Sequence, residues 1–169
     1  MELIKLEDKI VDDFTTYSSY VNEERAIPHI YDGLKPVARR LLYTMWKMKL
    51  TPDKQTRKSA NVVGATMAYH PHGNAGIYGT LVRLAQPFAV KIPLIFGQGN
   101  FGSEEMPAAA ERYTEVKLSD LGFALTSKLN KDIVPMFPNY DGTEIEPGFL
   151  FSPVPLLLNT GALGIGVGI

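Results

Sequence analysis

The sequence predicts an α+β fold, mainly helical, built as a helix-turn-helix core with a small β-wing. Three observations predict it. Apolar residues recur at helical spacing through the first half of the chain, whereas Tyr113–Leu118 alternate like a strand. A Gly-rich stretch, GQGNFGS, lies between that strand and a short apolar run, Val90–Phe96, as a wing would require. The 169 residues, 45% of them apolar and 21% charged, suffice for one domain with a core and are not a disordered composition.

Leu3, Leu6, Ile10 and Phe14 predict an amphipathic N-terminal helix over residues 1–22. The stretch RAIPHIYDGLKP reads as an ordered loop, and Pro36 then stands in the first turn of a helix, where proline is tolerated. Val37, Leu41, Met45 and Met48 form the core stripe of that helix, and Arg39, Arg40, Tyr43 and Lys47 a cationic face. Thr51–Lys58 reads as a polar turn and Ser59–Tyr69 as a second, short helix. After HPHGN, Asn74 is placed to cap a third helix reaching about Gln86, with Ile77, Leu81, Leu84 and Phe88 buried. Gly76 and Gly79 inside it each cost roughly 1 kcal/mol relative to Ala, a cost tolerated where something must approach the backbone. Leu121, Leu125 and Leu129 predict a helix over Ser119–Lys131, and NYDGTE a turn.

Charge is unevenly placed although the net value is only −1. Between Gly33 and Ala60 there are eight bases (Lys35, Arg39, Arg40, Lys47, Lys49, Lys54, Arg57, Lys58) against Asp53 alone. Such a segment can bind a polyanion or simply be a solvated surface. The absence of cysteine excludes a disulfide framework and fits a reducing cytosol. The N-terminus has no uninterrupted hydrophobic core and is not a signal peptide. PVPLLLNTGALGIGVGI is apolar but broken by Gly, Pro and Asn, which opposes a membrane span, and it reads as part of a longer polypeptide.

The candidate chemistry is modest when read residue by residue. His70 and His72 could contact phosphate or hold a metal, but a third ligand is missing unless His29 is close. GQGNFGS lacks the Lys-Ser/Thr of a nucleotide-binding loop. Among eight tyrosines, Tyr113 is set apart only by its neighbour Arg112, which could stabilise a phenolate or a phosphate.

The order of motifs is more specific. RAIP, DGLKPVARRLLYTM, YHPHGN, RLAQPF, GQGNFGS, AAAERYTE, NYDGTE and LLLNTGALGIGVG resemble, in sequence and spacing, the A subunits of type IIA DNA topoisomerases (DNA gyrase and topoisomerase IV) from about Val21 onward. The resemblance implies a winged-helix cleavage domain over 23–148 and the start of a tower domain over 149–169. It implies that Tyr113 forms a transient 5′-phosphotyrosyl bond during double-strand DNA breakage, with Arg112 and Arg25 assisting. Lys35, Arg39, Arg40, His70 and His72 become DNA-contacting positions, with the basic helix face turned to DNA. Ile165 becomes a wedge between base pairs, against a reading of ordinary core packing.

Mg²⁺ and ATP would be held by a B subunit in an A2B2 assembly in the bacterial cytosol or a phage-encoded counterpart. This chain carries no matching acidic cluster and would be inert alone. Ala38 and Phe96 depart from common family residues. Ala75 and Gly79 stand where drug-sensitive enzymes carry a hydroxyl and an acid that anchor quinolones, which implies poor quinolone sensitivity. Two alternatives remain: a noncatalytic winged-helix DNA-binding module and a His-based metal nuclease.

Overall fold

The structure, a computed structural model, describes residues 5–168. Its elements run α1 (Leu6–Val21), a π-helical turn (Asn22–Ala26), α2 (Pro36–Lys47), β1 (Arg57–Lys58), α3 (Ser59–Thr66) and α4 (Asn74–Ala85). They continue with β2 (Ile95–Gln98), β3 (Glu115–Leu118), α5 (Asp120–Thr126), β4 (Met136–Pro138), β5 (Ile145–Pro147) and α6 (Leu156–Thr160).

The expected helix-turn-helix and wing are present. Helices α2, α3 and α4 pack on one another around Leu41, Met45, Val62, Ile77 and Leu81, all fully buried. An antiparallel sheet in the order β1-β3-β2 closes the core from one side, with Ile95 opposite Leu118 and Gln98 opposite Glu115. Thr51–Lys58 was expected to be only a turn, but its last two residues form β1, paired with Val116 and Glu115. Two residues carry too little periodicity to be read as a strand. The resulting fold is an α+β winged helix in which the wing is the loop 99–114.

The helix boundaries follow local chemistry. Helix α2 starts on Pro36, which needs no N–H partner there. It stops where Lys49 turns left-handed at φ 57° and Leu50 N–H donates to Met45 O at 3.0 Å. Helix α4 begins at Asn74 itself, so the expected Asn cap is absent, and the Asn74 amide instead donates to Glu111 at 3.3 Å. Gln86 leaves the helix with ψ 120°, the extended backbone favoured before a proline such as Pro87. Phe88 is therefore out of register and 47% exposed, outside the buried stripe it was expected to join.

Helix α5 is shorter than the expected Ser119–Lys131. Ser119 caps it by accepting from Gly122 N–H at 3.1 Å. At the other end, the Thr126 and Ser127 hydroxyls bond back to Phe123 O and Ala124 O, offering the backbone alternatives to helix. A 3-10 turn at Leu129–Lys131 and left-handed Asp132 follow. A β-carbon on Gly122 would lie 2.0 Å from Leu94 O, so only glycine lets α5 sit this close to the chain entering β2.

NYDGTE is the connection of the β4–β5 hairpin, closed by Asn139 N–H to Glu144 O at 2.8 Å. Helix α1 forms, but Leu6, Ile10 and Phe14 are exposed and only Ser18 and Val21 are buried. Leu3 of the same predicted stripe lies outside the described residues. Helix α6 was not foreseen within PVPLLLNT. It is braced by Asn159, whose side chain exchanges hydrogen bonds with the Ile92 backbone at 2.7 and 2.8 Å.

Candidate tyrosine site and nucleic-acid interface

Tyr113 lies in the turn that ends the wing, two residues before β3, which begins at Glu115 and not at Tyr113 as predicted; its N–H donates to Ala110 O at 2.9 Å. The turn is anchored on the helical core from two directions. Ser59 N–H and Ala60 N–H, at the start of α3, donate to Thr114 O (3.0 Å) and Glu111 O (3.3 Å). Tyr78 of α4 donates from its hydroxyl to Ala109 O and lies 3.1 Å from the Thr114 hydroxyl. Gly99, at φ 112°, lets the returning strand pass close beneath, since a β-carbon there would meet Tyr113 O at 3.2 Å. A rigid base thus holds an outward-facing side chain: the Tyr113 ring is 63% exposed, with the Arg112 guanidinium 4.6 Å from its centroid. A phenol and a fork of cationic N–H donors are presented together to solvent.

A second cluster gathers Arg40 of α2, His70, His72, Tyr20 of α1 and Arg25 of the π-helical turn. Arg40 lies 3.3 Å from His70 Nδ1, the two imidazoles meet edge to face at 4.7 Å, and the Tyr20 hydroxyl is 3.3 Å from His72 Nε2. Burial, and then the positive fields of Arg40, His72 and Arg25, push His70 down to about 4. Among the described residues, no hydrogen bond joins the Tyr113 hydroxyl to this cluster. The link between the two runs through α4, because HPHG leads directly to Asn74, which holds Glu111 beside Arg112.

The third feature is a cleft of about 290 Å³ with Arg25, Lys35, Arg83 and Thr80 on its walls and Leu34, Ala38 and Leu84 beneath. Burial, then the neighbouring Arg83, holds Lys35 below the ordinary lysine value. Beside the cleft runs the extended segment 161–168. Lys35 Nζ donates to Leu163 O at 2.6 Å, and Asn22 exchanges two hydrogen bonds with Val167 at 2.9 and 3.0 Å. Ile165 is suspended between these tethers at 90% exposure, so core packing does not account for it.

The cationic face of α2 is not the surface the sequence suggested. Arg39 is 7% exposed and forks onto Asp32 at 2.7 and 3.1 Å, and therefore does not face DNA. Arg40 is ion-paired with Glu146 (2.7 Å) and Glu24 (3.2 Å), and Lys47 with Glu144 (2.7 Å). Two of these acids ride on the β4–β5 hairpin, some hundred residues away in sequence, which is why a local charge count could not reveal the pairing. The bases that form no ion pair among the described residues include Arg25, Lys35, Arg83 and Arg112.

Arg83 was missed from the sequence. The available signal was its place on a strip of α4 that flanks the buried Ile77, Leu81 and Leu84, in line with Gly76 and Thr80. Ala75, Gly76 and Gly79 are exposed on that helix, and a β-carbon at either glycine would meet nothing within 4 Å. Among the described residues, no group of three or more His, Asp or Glu is arranged to hold a metal ion, and His29 stacks on Phe149 instead of joining His70 and His72.

Residues 25–169 match the family of DNA gyrase/topoisomerase IV A subunits. The chain belongs to this family. It is 50% identical over 165 residues to the DNA gyrase A subunit of Thermotoga maritima, covering 96% of this chain and 20% of that protein. The DNA gyrase A subunit of Campylobacter jejuni is 48% identical over 170 residues, covering 99% of this chain and 20% of the relative. The corresponding protein of Spiroplasma citri is 46% identical over 167 residues, covering 98% of this chain and 74% of the relative. The chain thus spans about a fifth of the length of the first two of these relatives. No described helix is long and apolar enough to cross a membrane.

Proposed function

We propose that this chain is the DNA-cleaving segment of a type IIA topoisomerase A subunit, with Tyr113 as the nucleophile. The observation that carries the reading is the outward-facing Tyr113 on a braced turn, with Arg112 4.6 Å from its ring. The Tyr113 hydroxyl oxygen attacks a backbone phosphorus and gives up its proton to solvent. The bond from phosphorus to the 3′ oxygen breaks, and that oxygen takes up a proton. The 5′-phosphotyrosyl ester conserves the phosphodiester bond, so resealing is the reverse attack. Arg112 is placed to clamp the phosphate oxygens as negative charge builds in the transition state.

Arg25 assists from the cationic cleft. Lys35, Arg40, His70 and His72 contact the DNA backbone, and Arg83 joins them. Ile165 is the wedge. Residues 1–22, 23–148 and 149–169 serve as N-terminal arm, cleavage domain and start of a tower. The partners are double-stranded DNA, a gyrase B-like protein and a second copy of the A subunit, in an A2B2 assembly in the cytoplasm.

Mg²⁺ and ATP belong, in this reading, to the B subunit. The described acids do not fit a metal site, because those nearest the histidine cluster are already committed to Arg40.

The test uses the complete A subunit with its B partner, Mg²⁺ and supercoiled DNA, trapped with denaturant. Covalent DNA–protein adduct is expected, and Tyr113→Phe should abolish it. Adduct that survives Tyr113→Phe refutes the assignment. DNA binding without adduct from the unaltered protein would favour a noncatalytic winged helix, and cutting without any adduct a metal nuclease.

A further inference from the structure

We propose that Glu146 and Glu24 are positioning residues that, through Arg40, fix His70 as a neutral imidazole protonated on Nε2. His70 is then a hydrogen-bond donor to a phosphate oxygen, and neither a cation nor the base that receives the tyrosine proton. The role at phosphate rests on the proposed cleavage function; the tautomer does not.

A guanidinium has five N–H groups and no acceptor. Arg40 commits Nε to Glu146 Oε2 at 2.7 Å and one terminal nitrogen to Glu146 Oε1 at 2.8 Å, a two-point grip that fixes the plane of the group. The same terminal nitrogen reaches Glu24 Oε2 at 3.2 Å. That leaves the other terminal nitrogen, Nη1, which lies 3.3 Å from His70 Nδ1. Since Arg40 can only donate, Nδ1 must accept, and the ring's single proton is on Nε2.

The surroundings agree from every side. Arg40 faces His70 from α2, Arg25 from the π-helical turn and His72 from the same loop, and each disfavours a second proton on His70. The two nearby carboxylates that could favour one, Glu24 and Glu146, are occupied by Arg40. Tyr20, from α1, engages His72. Nε2 of His70 has no partner among the described residues, yet no buried side-chain nitrogen there is left without one, so Nε2 reaches the surface. A neutral N–H donor at the surface, locked in one tautomer by a carboxylate–guanidinium chain, suits a phosphate oxygen and cannot accept a proton at Nδ1 without breaking the Arg40 contact.

Long-range proton–nitrogen spectra of the histidine-labelled chain test the tautomer directly. The unaltered protein should show pyridine-like Nδ1 and pyrrole-like Nε2 for His70, unchanged from about pH 8 to about pH 5, where a free histidine titrates. Glu146→Ala should release Arg40 and mix the two tautomers, while Glu146→Gln, which keeps an acceptor for Arg40, should restore the single form. Unmoved His29 signals in both variants separate this from unfolding. A charged or Nδ1-protonated His70 in the unaltered protein, or a spectrum indifferent to Glu146→Ala, overturns the proposal.

In the complete subunit with its B partner, Glu146→Ala should lower covalent adduct about tenfold, the equivalent of roughly 1.4 kcal/mol of lost donation, with partial rescue by Glu146→Gln. Adduct unchanged by Glu146→Ala removes the role at phosphate. No adduct from the unaltered enzyme refutes the cleavage function instead, and leaves the tautomer to be decided by the spectra.

Discussion

Replacing Asp32 by Asn should cost more stability than any surface change in this protein, although the two side chains have nearly the same shape. Asp32 is 1% exposed and accepts four hydrogen bonds. Oδ1 receives Leu34 N–H (2.9 Å) and an Arg39 terminal nitrogen (3.1 Å), and Oδ2 receives Arg39 Nε (2.7 Å) and Leu150 N–H (2.9 Å). An asparagine retains one oxygen, so one pair of donors meets an NH₂ group and is left unsatisfied. The buried Arg39 guanidinium also loses its counter-charge. Removing one partner of such a pair costs about 3–5 kcal/mol, a large share of the ~5–15 kcal/mol typical of a domain. With a urea slope of ~2 kcal/mol/M, the unfolding midpoint should fall by about 2 M. Adding Arg39→Met removes the orphaned charge, so the double variant should be more stable than the sum of the single effects predicts, by at least ~1 kcal/mol. A loss below ~1 kcal/mol for Asp32→Asn, or strict additivity in the cycle, would refute the reading of this pair as the knot joining the 29–34 loop, α2 and the start of the C-terminal segment.

Three further outcomes are expected. Gly79→Ala and Gly76→Ala should each stabilise the isolated chain by up to ~1 kcal/mol in chemical denaturation, because the new methyl meets open space; loss of DNA affinity by the same variants would show that this helix face is approached closely by the duplex. Stability should fall with acid as His70 is forced to charge. Its folded value of about 4 lies below the ordinary 6.5, so the unfolded chain binds the extra proton first. The loss therefore begins near pH 6.5, grows until pH 4 and approaches roughly 3 kcal/mol, and His70→Gln should flatten that part of the curve. Finally, the complete enzyme should respond poorly to quinolones, and Ala75→Ser with Gly79→Glu should raise drug-stabilised cleavage; no gain would count against the assignment of those positions.

The sequence made the helices and the wing legible because their signals are local. Leu41 and Met45, or Ile77 and Leu81, announce a buried stripe by spacing alone, and the structure buries them completely. What spacing could not show is who answers a charge. Arg39, Arg40 and Lys47 share one helix, and nothing within that helix neutralises them. Their partners come from the 29–34 loop, the π-helical turn and a hairpin about a hundred residues away. The same blindness hid β1, a two-residue strand defined only by its partner β3, and the extra 3-10 turn after α5, where side-chain hydroxyls compete for the backbone. The candidate site was legible in a different way. Physics alone gave Tyr113 one asset, Arg112, and the order of motifs around it did the rest. The structure added the feature neither source contained, a rigid turn holding the ring outward.

The fate of the bases also says how a nearly neutral chain can present a polyanion site. Its positive charge is divided by ion pairing into two populations. One is spent internally: Arg39 on Asp32, Arg40 on Glu146 and Glu24, Lys47 on Glu144, whose hydrogen bond holds Lys47 above the ordinary lysine value. These pairs tie the hairpin and the N-terminal turn to α2 and contribute little to the outer field. The other population, Arg25, Lys35, Arg83 and Arg112, forms no ion pair among the described residues along the cleft and the wing. Burial, and then the neighbouring Arg83, lowers the affinity of Lys35 for its own proton. Holding like charges together in a folded protein is unfavourable unless an anion arrives to neutralise them. Under the proposed function, these bases suit a phosphate backbone at the cleft, while the Arg40–His70 contact is set by Glu146 and Glu24.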